Sequence, residues 1–304
     1  MDRITVLRAF VRLVEKRSFT AVADELRVKQ STVSKWLGRL EDDLGVQLLD
    51  RTTRSQRVTE AGQRFYDHAN IVLNSYDNAV ADLRQADPTL RGRIRMSLPV
   101  VFGRRFVVPQ VTTFLQEHPH VELELIFSDR YVRIVEEGYD LALRVGIPVD
   151  STLRAHPLGG SGRRLVASPT YLARHPMPNT PQDLEAHQCL VHTELSTRAA
   201  WSFTRDGKTH RVSVGGRISA NHSEASLVMA KAGLGVCLLA SWLVDEDIAS
   251  GSLVQLLADY EPPGARIQAI TPPGRHVPPR VRALIEHLRS GFAGTTLTNA
   301  RRRN

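Results

Sequence analysis

Ile4, Leu7, Val11 and Val14 recur at steps of three and four, and the spacing predicts a first helix. Ser18 stands where an N-cap would open a second, short helix carrying Val22 and Leu26. A break at Arg27–Lys29 leads into a third, whose apolar positions Val33, Leu37, Leu40 and Leu44 share one face. The stretch RTTRSQRVT, from Arg51 to Thr59, has β-branched and turn-compatible residues and little helix signal; it predicts a two-stranded wing. From Glu60 to Ala86, Phe65, Ala69, Val72, Tyr76, Ala79 and Leu83 alternate steps of four and three, a heptad seam. Thr59 can cap this helix and Pro88 ends it. One amphipathic helix lying on its own domain would give the same spacing. A dimerising linker is preferred, because the helix sits between two units with no other obvious partner.

From about Arg91 the texture changes. RIRMSL, VELELIF, DLALRV and RRLVAS read as short strands, with helical stretches FVVPQVTTFLQEHP and RYVRIVEEG between them. RISA follows, then a helix near Ser223–Ala232, GVCLL, a helix near Ser241–Ala249, RIQAIT and a last helix near Pro279–Ser290. Strands alternating with helices predict an α/β unit with largely parallel sheets. No internal repeat is visible, and ARRRN at the C-terminus reads as a frayed basic tail.

The polar positions of the third helix are unusual. Gln30, Ser31, Thr32, Ser34 and Lys35 lie opposite its apolar stripe, although Ser and Thr are mediocre helix formers. Two short helices separated by three or four residues form the helix-turn-helix outline; a purely structural hairpin has the same outline. Charge favours DNA. No acidic residue stands between Val28 and Leu40, where Lys29, Lys35 and Arg39 do, and none between Arg51 and Thr59, where Arg51, Arg54 and Arg57 recur every third residue. Glu41, Asp42, Asp43 and Asp50 lie between these stretches, so phosphate repulsion is least where contact is proposed. Gln30 is the best base reader, since an amide pairs bidentately with adenine; Ser34 and Lys35 come next. Ser31 and Thr32 suit phosphates at the positive helix end, with N-capping as the alternative for Ser31. Arg51 and Arg54 would follow the backbone or enter the minor groove, and Ser18, Thr20, Lys29 and Arg39 complete the DNA-facing set.

With 304 residues the chain is about two domains long, and its 42% hydrophobic and 24% charged residues are ordinary for a globular protein. The formal net charge of +8 favours a polyanionic partner. Two cysteines, Cys189 and Cys237, make no disulfide framework and suit a reducing compartment. The N-terminus lacks a signal peptide's apolar core, and GLGVCLLASWLV is too short to span a bilayer; a cytoplasmic protein without a membrane partner is expected. Enzyme readings fare poorly. GGSGR lacks the final Gly of a nucleophile elbow, and GLGVCL lacks the third Gly of a dinucleotide loop. In HQCLVH, His187 and Cys189 would face one way along a strand and His192 the other. No catalytic residue, cofactor or metal is expected. A solute-binding transport protein would suit the later part, but not the first 87 residues.

SFTAVADEL, KQSTVSKWLGRLEDDLG, LLDR and VTEAG, with SDRYVRIVEEGYDLALRVG, LVASPTYLARHP and AKAGLGVCLL further on, resemble the LysR-type transcriptional regulators over about residues 2–292. Lys29 stands where Ser is frequent, Trp36 and Gly38 replace long polar residues, and Leu49 replaces a usual Phe; this leaves sequence preference open. Trp36 packs on a neighbour or touches a sugar. The resemblance implies α/β architecture with an N-terminal all-α winged helix-turn-helix (1–59), a long dimerising linker helix (60–87) and a two-lobed effector domain (92–292) similar to periplasmic binding proteins. Lobe one would span 92–163 plus 267–292, lobe two 164–266, and a basic tail 293–304. Partners implied are double-stranded DNA, a small-molecule effector and further copies of the chain, commonly as a tetramer.

An effector in this architecture lies between the lobes. Ser97, Val100 and Phe102 sit at the first strand-to-helix loop, Ser128 ends the second strand, and Arg144 and Gly146 end DLALRVG. By resemblance Asn221 and His222 face the cleft from lobe two, with Leu239 near. Each Ser serves equally as a local helix cap, and Arg144 as a structural ion-pair partner. Phe102 and Trp201 favour a small aromatic carboxylate.

Overall fold

Asp2 opens the first helix by accepting the Ile4 N–H, and α1 runs Arg3–Lys16. This computed structural model describes residues 2–51, 56–83, 90–146, 153–193, 199–273, 277–293 and 297. Helices α2 (Phe19–Leu26) and α3 (Gln30–Leu44) follow, then strands β1 (Leu49–Arg51) and β2 (Gln56–Val58) and the long helix α4 (Glu60–Leu83). Phe10, Leu13, Val22, Val33, Leu37, Leu48 and Leu49 form one buried core, with Leu40 packed at its edge. The strands pair antiparallel, Leu49 opposite Val58 and Arg51 opposite Gln56. Buried Glu41 holds the turn into this wing, accepting the Leu48 N–H at 2.8 Å and the Leu49 N–H at 3.1 Å. Thr59 Oγ1 donates to the Gln47 carbonyl at 2.8 Å and accepts the Gly62 N–H at 2.9 Å, capping α4.

The heptad seam splits on α4. Phe65 and Ala69 pack on the DNA-binding unit's own core together with Leu73, which the seam omits. Val72 and Tyr76 are each 47% exposed, and Ala79 is exposed. The first half of the seam therefore serves the chain's own fold, because the face turned toward α1 lies a fraction of a turn away from it. The side chain of Leu83 and residues 84–86 lie outside the described residues.

The second part opens with β3 (Gly92–Leu98) and a helix that begins as α5 (Val100–Phe102), passes a π-helical turn at Gly103–Val107 and continues as α6 (Val108–Glu117). It starts ahead of the expected stretch FVVPQVTTFLQEHP because Asp129 Oδ1 accepts the Val100 N–H at 3.0 Å. Strands β4 (Val121–Phe127), β5 (Leu141–Val145), β6 (Arg154–Ser161) and β7 (Arg163–Ala167) come next, then α7 (Pro169–Leu172), β8 (Val191–His192), β9 (Ala200–Arg205), β10 (Lys208–Ser213) and β11 (Ser219–Ala220). Helix α8 (Ser223–Lys231), β12 (Cys237–Ala240), α9 (Ser241–Ala249), β13 (Val254–Leu256), β14 (Ala265–Thr271) and α10 (Pro279–Phe292) complete the order.

Lobe one is a five-stranded sheet, β4-β3-β5-β14-β6, with α6 and α10 packed on its core. Lobe two holds a three-stranded sheet, β12-β7-β13. The expectation of largely parallel sheets needs correction. In lobe one only β3 with β4 and β5 is parallel, and β14 runs antiparallel to β5 and β6; lobe two's central sheet is antiparallel throughout, and among its described strand pairs only the short β8–β11 is parallel. The cause is the crossing: β6 carries the chain toward lobe two, β14 brings it back alongside, and adjacent outgoing and returning strands must oppose. RYVRIVEEG makes no helix either. One turn closes at Gly138, whose φ of +68° suits a glycine, with the Tyr139 N–H reaching the Ile134 carbonyl at 2.9 Å. The expected tail is tied down at Leu297, which is buried in lobe one's core and accepts the Gly160 N–H at 3.1 Å. Residues 298–304 lie outside the described residues.

Candidate DNA interface and ligand cleft

Ser18 Oγ accepts the Ala21 N–H at 3.2 Å and starts α2, on which Thr20 is exposed. Arg27, at φ +54°, ends it. The N-cap of α3 is Lys29, in extended conformation and without a side-chain capping bond. Ser31 thus lies inside the helix, and the alternative capping role falls away. Lys29 leaves the positive end of α3 without a capping bond from its own side chain, an arrangement that suits an anion. Gln30, Ser31, Lys35 and Arg39 are exposed, while Thr32, Ser34 and Trp36 are half-buried. Gly38 stands on the same face, with nothing within 4 Å of where a Cβ would be. The Arg51 backbone pairs in the wing; its side chain and all of Arg54 lie outside the described residues.

The lobes enclose a cavity of about 230 Å³. Phe102, Ser128, Arg144, Gly146 and Leu239 line it. Five other expected residues do not. Ser97 is fully buried, and its Oγ accepts from Arg144 Nη2 at 3.0 Å. Val100 gives way to Val101, whose side chain reaches the cavity. Trp201 belongs to lobe two's core with Tyr171 and Phe203. Asn221 is exposed, and His222 is the N-cap residue of α8, whose first residue Ser223 lines the cavity in its place. Unforeseen wall residues include Asp129, Tyr131, Arg163, His192 and Trp242. None of these carries a local signal: even Asp129 caps a helix that begins 29 residues earlier in the chain.

Arg144 also donates to the Leu143 carbonyl at 2.8 Å and the Arg130 carbonyl at 3.3 Å, and burial pushes its pKa down. Across the cleft, Trp242 meets Phe102 edge-on at 5.7 Å between centroids and Phe106 at 5.3 Å. Arg105 Nη1 donates to the Trp242 carbonyl at 3.2 Å and pairs with Glu246 at 3.5 Å. The helix that starts beside the cavity thereby grips α9 of lobe two. His187 Nδ1 lies 3.1 Å from Tyr171 Oη, and the Cys189 thiol lies 3.7 Å from the Leu184 carbonyl. Among the described residues no group of three or more His, Cys, Asp or Glu could hold a metal ion, and no helix is long and apolar enough to cross a membrane.

A helix offering a polar, acid-free face to a groove, joined by a long helix to two lobes around a small cavity, defines a DNA-binding regulator that answers to a small molecule. Comparison with known proteins agrees. Residues 4–63 match the bacterial regulatory helix-turn-helix of the lysR family, and residues 88–293 match the LysR substrate binding domain. The transcriptional regulator PtxR of Pseudomonas aeruginosa is 38% identical over 283 residues, 93% of this chain and 91% of its own. CrgA of Neisseria meningitidis serogroup C is 35% identical over 253 residues, 83% of this chain and 84% of its own. The full-length structure of AphB, a Vibrio cholerae virulence activator, superposes with a TM-score of 0.59 at 30% identity, covering 94% of this chain and 98% of that one. The chain belongs to the LysR family: it is a LysR-type DNA-binding transcriptional regulator with an effector-binding substrate domain.

Proposed function

We propose that α3 seats in the major groove with Gln30 reading a base edge, Ser34 and Lys35 beside it, and Ser31 and Thr32 on phosphates. Arg51 and Arg54 of the wing follow the adjacent backbone. The observation that carries this reading is the conjunction on α3: an uncapped positive end, exposed Gln30 and Ser31, and exposed Lys35 and Arg39 on an acid-free stretch. The exposed half of the α4 seam, at Val72, Tyr76 and Ala79, joins two copies, and pairs of dimers make a tetramer in the cytoplasm. A small carboxylate in the cleft alters the angle between lobes and hence the spacing of the paired wings on DNA.

Selecting genomic fragments with the purified protein tests the core of this. Recovered fragments should share a two-fold symmetric site. Fragments without a common site, or a Gln30→Ala variant with unchanged base preference, would remove Gln30 as reader. Tyr76→Asp should dissociate the oligomer in sedimentation while leaving each chain folded; an unaltered oligomer would exclude this stripe as the interface.

A further inference from the structure

Among the described residues the cleft wall carries three side chains of fixed charge: Asp129 and Arg144 from lobe one, and Arg163 from the first position of β7, in lobe two's central sheet. They are held differently. Arg144 is bonded to two carbonyls and to Ser97 Oγ, and Asp129 to the Val100 N–H. The Arg163 backbone pairs with β12, but its guanidinium has no hydrogen-bond or ion-pair partner among the described residues. Its side chain is half-buried against the cavity, and burial pushes its pKa down, with no acidic group among the described residues acting against the shift. A partly desolvated cation lacking a counter-ion is unfavourable, and a guanidinium fork matches a planar carboxylate with two parallel bonds. Two arginines less one aspartate give the wall's described residues a formal charge of +1. Phe102, Trp242 and Leu239 supply an apolar side, and about 230 Å³ is below the size usual for larger organic ligands.

We infer that the effector is a compact monocarboxylate whose carboxylate sits on Arg163, with its uncharged body against Phe102, Trp242 and Leu239. This rests on the cleft being the effector site. A second carboxylate at the lobe-one end would meet Asp129 and leave the filled cleft negative. A hydroxyl there finds Ser128 and Asp129 as partners.

The test titrates benzoate, benzamide, 2-methylbenzoate and phthalate into the full-length protein, following Trp242 emission and the melting midpoint. Trp242→Phe identifies which emission change comes from the cleft. The monocarboxylates should bind at least roughly tenfold more tightly than benzamide or phthalate, an equilibrium difference of about 1.4 kcal/mol. Arg163→Met should abolish that advantage while leaving the unliganded midpoint at or above the parent's, because an unpaired charge has been replaced by an apolar chain. Benzamide binding as tightly as benzoate, with its emission change lost in Trp242→Phe, leaves the cleft reading standing and overturns the charge assignment. Phthalate binding tightest overturns the single charge. A benzoate response unchanged in both Arg163→Met and Trp242→Phe lies outside the cleft and removes both readings. If none of the four binds, the unliganded midpoint decides: a lower one in Arg163→Met means the protein itself compensates the charge and overturns the assignment, and an equal or higher one supports it.

Discussion

Arg39 on α3 and Arg163 in the cleft are the same residue in opposite surroundings. Arg39 is exposed on a solvated helix face, whereas Arg163 is half-buried against a small cavity, where burial pushes its pKa down. On the DNA face, charges are screened by solvent and salt, so each contact counts for little and the face works by number. In the cleft a few groups act in a low dielectric, and each one matters. The two regions should therefore respond differently to single substitutions, with large effects where the lobes meet and small, salt-dependent ones on α3.

The largest effect is expected at Phe102. It is 2% exposed and packs on Phe106, Trp242 and Phe292, with ring centroids 5.1, 5.7 and 5.8 Å away. Phe102→Ala should destabilise the effector domain by about 3–5 kcal/mol. Urea unfolding followed by tryptophan emission would register this as an early transition, while α3 stays folded. A loss below about 1 kcal/mol would mean that the lobes do not depend on this aromatic contact.

Next comes Glu41, the buried exception among the acids around the DNA face. Glu41→Ala strands the Leu48 and Leu49 N–H groups that its carboxylate accepts. The expected cost is about 2–3 kcal/mol. Glu41→Gln, which keeps an acceptor oxygen, should lose distinctly less in the same thermal melts. Equal losses in the two variants would show that charge, rather than acceptance of these two amides, is what the wing turn requires.

These two regions also differ in how far the sequence shows them. A helix face follows from a period, so the exposed set at Gln30, Ser31, Lys35 and Arg39 was legible, as were the wing and the bounds of α9. A cavity wall follows from which strand ends meet, and only part of that is local. Strand-end logic found Ser128, Arg144 and Gly146 but also named Ser97, whose strand is buried on both faces from Met96 to Leu98 and gives no alternation to show which way Ser97 turns. Trp201 lies away from the cleft because the Asp206–Gly207 hairpin turn, with φ of +50° and +74°, pairs β9 with β10, and Trp201, Phe203 and Val212 turn into lobe two. Arg163 closes the motif GGSGR, which carries no sign of its place in the cleft, since burial is a property of the folded wall and not of the motif.

On the DNA face the expected changes are smaller and of two kinds. Gln30→Ala should lose about 1–3 kcal/mol of discrimination at one base position. Lys35→Ala should weaken all sequences alike and lower the salt slope by about 1. Binding measured at several salt concentrations separates the two. A Lys35→Ala variant with an unchanged slope would place that ammonium away from phosphate.

The smallest effect is expected at Gly38, and it tests the comparison most finely because two properties should move in opposite directions. An alanine there meets nothing within 4 Å in the free protein. In the interior of a helix, Gly38→Ala should therefore stabilise the DNA-binding unit by about 1 kcal/mol. Gly38 lies four residues after Ser34 and three after Lys35, so its Cα stands in the middle of the proposed contact face. If that face enters a groove closely, the added methyl should raise the melting midpoint and weaken DNA binding in the same variant. A higher midpoint with unchanged affinity would mean that the duplex keeps its distance from the middle of α3, and recognition would then fall to its first turn and the wing.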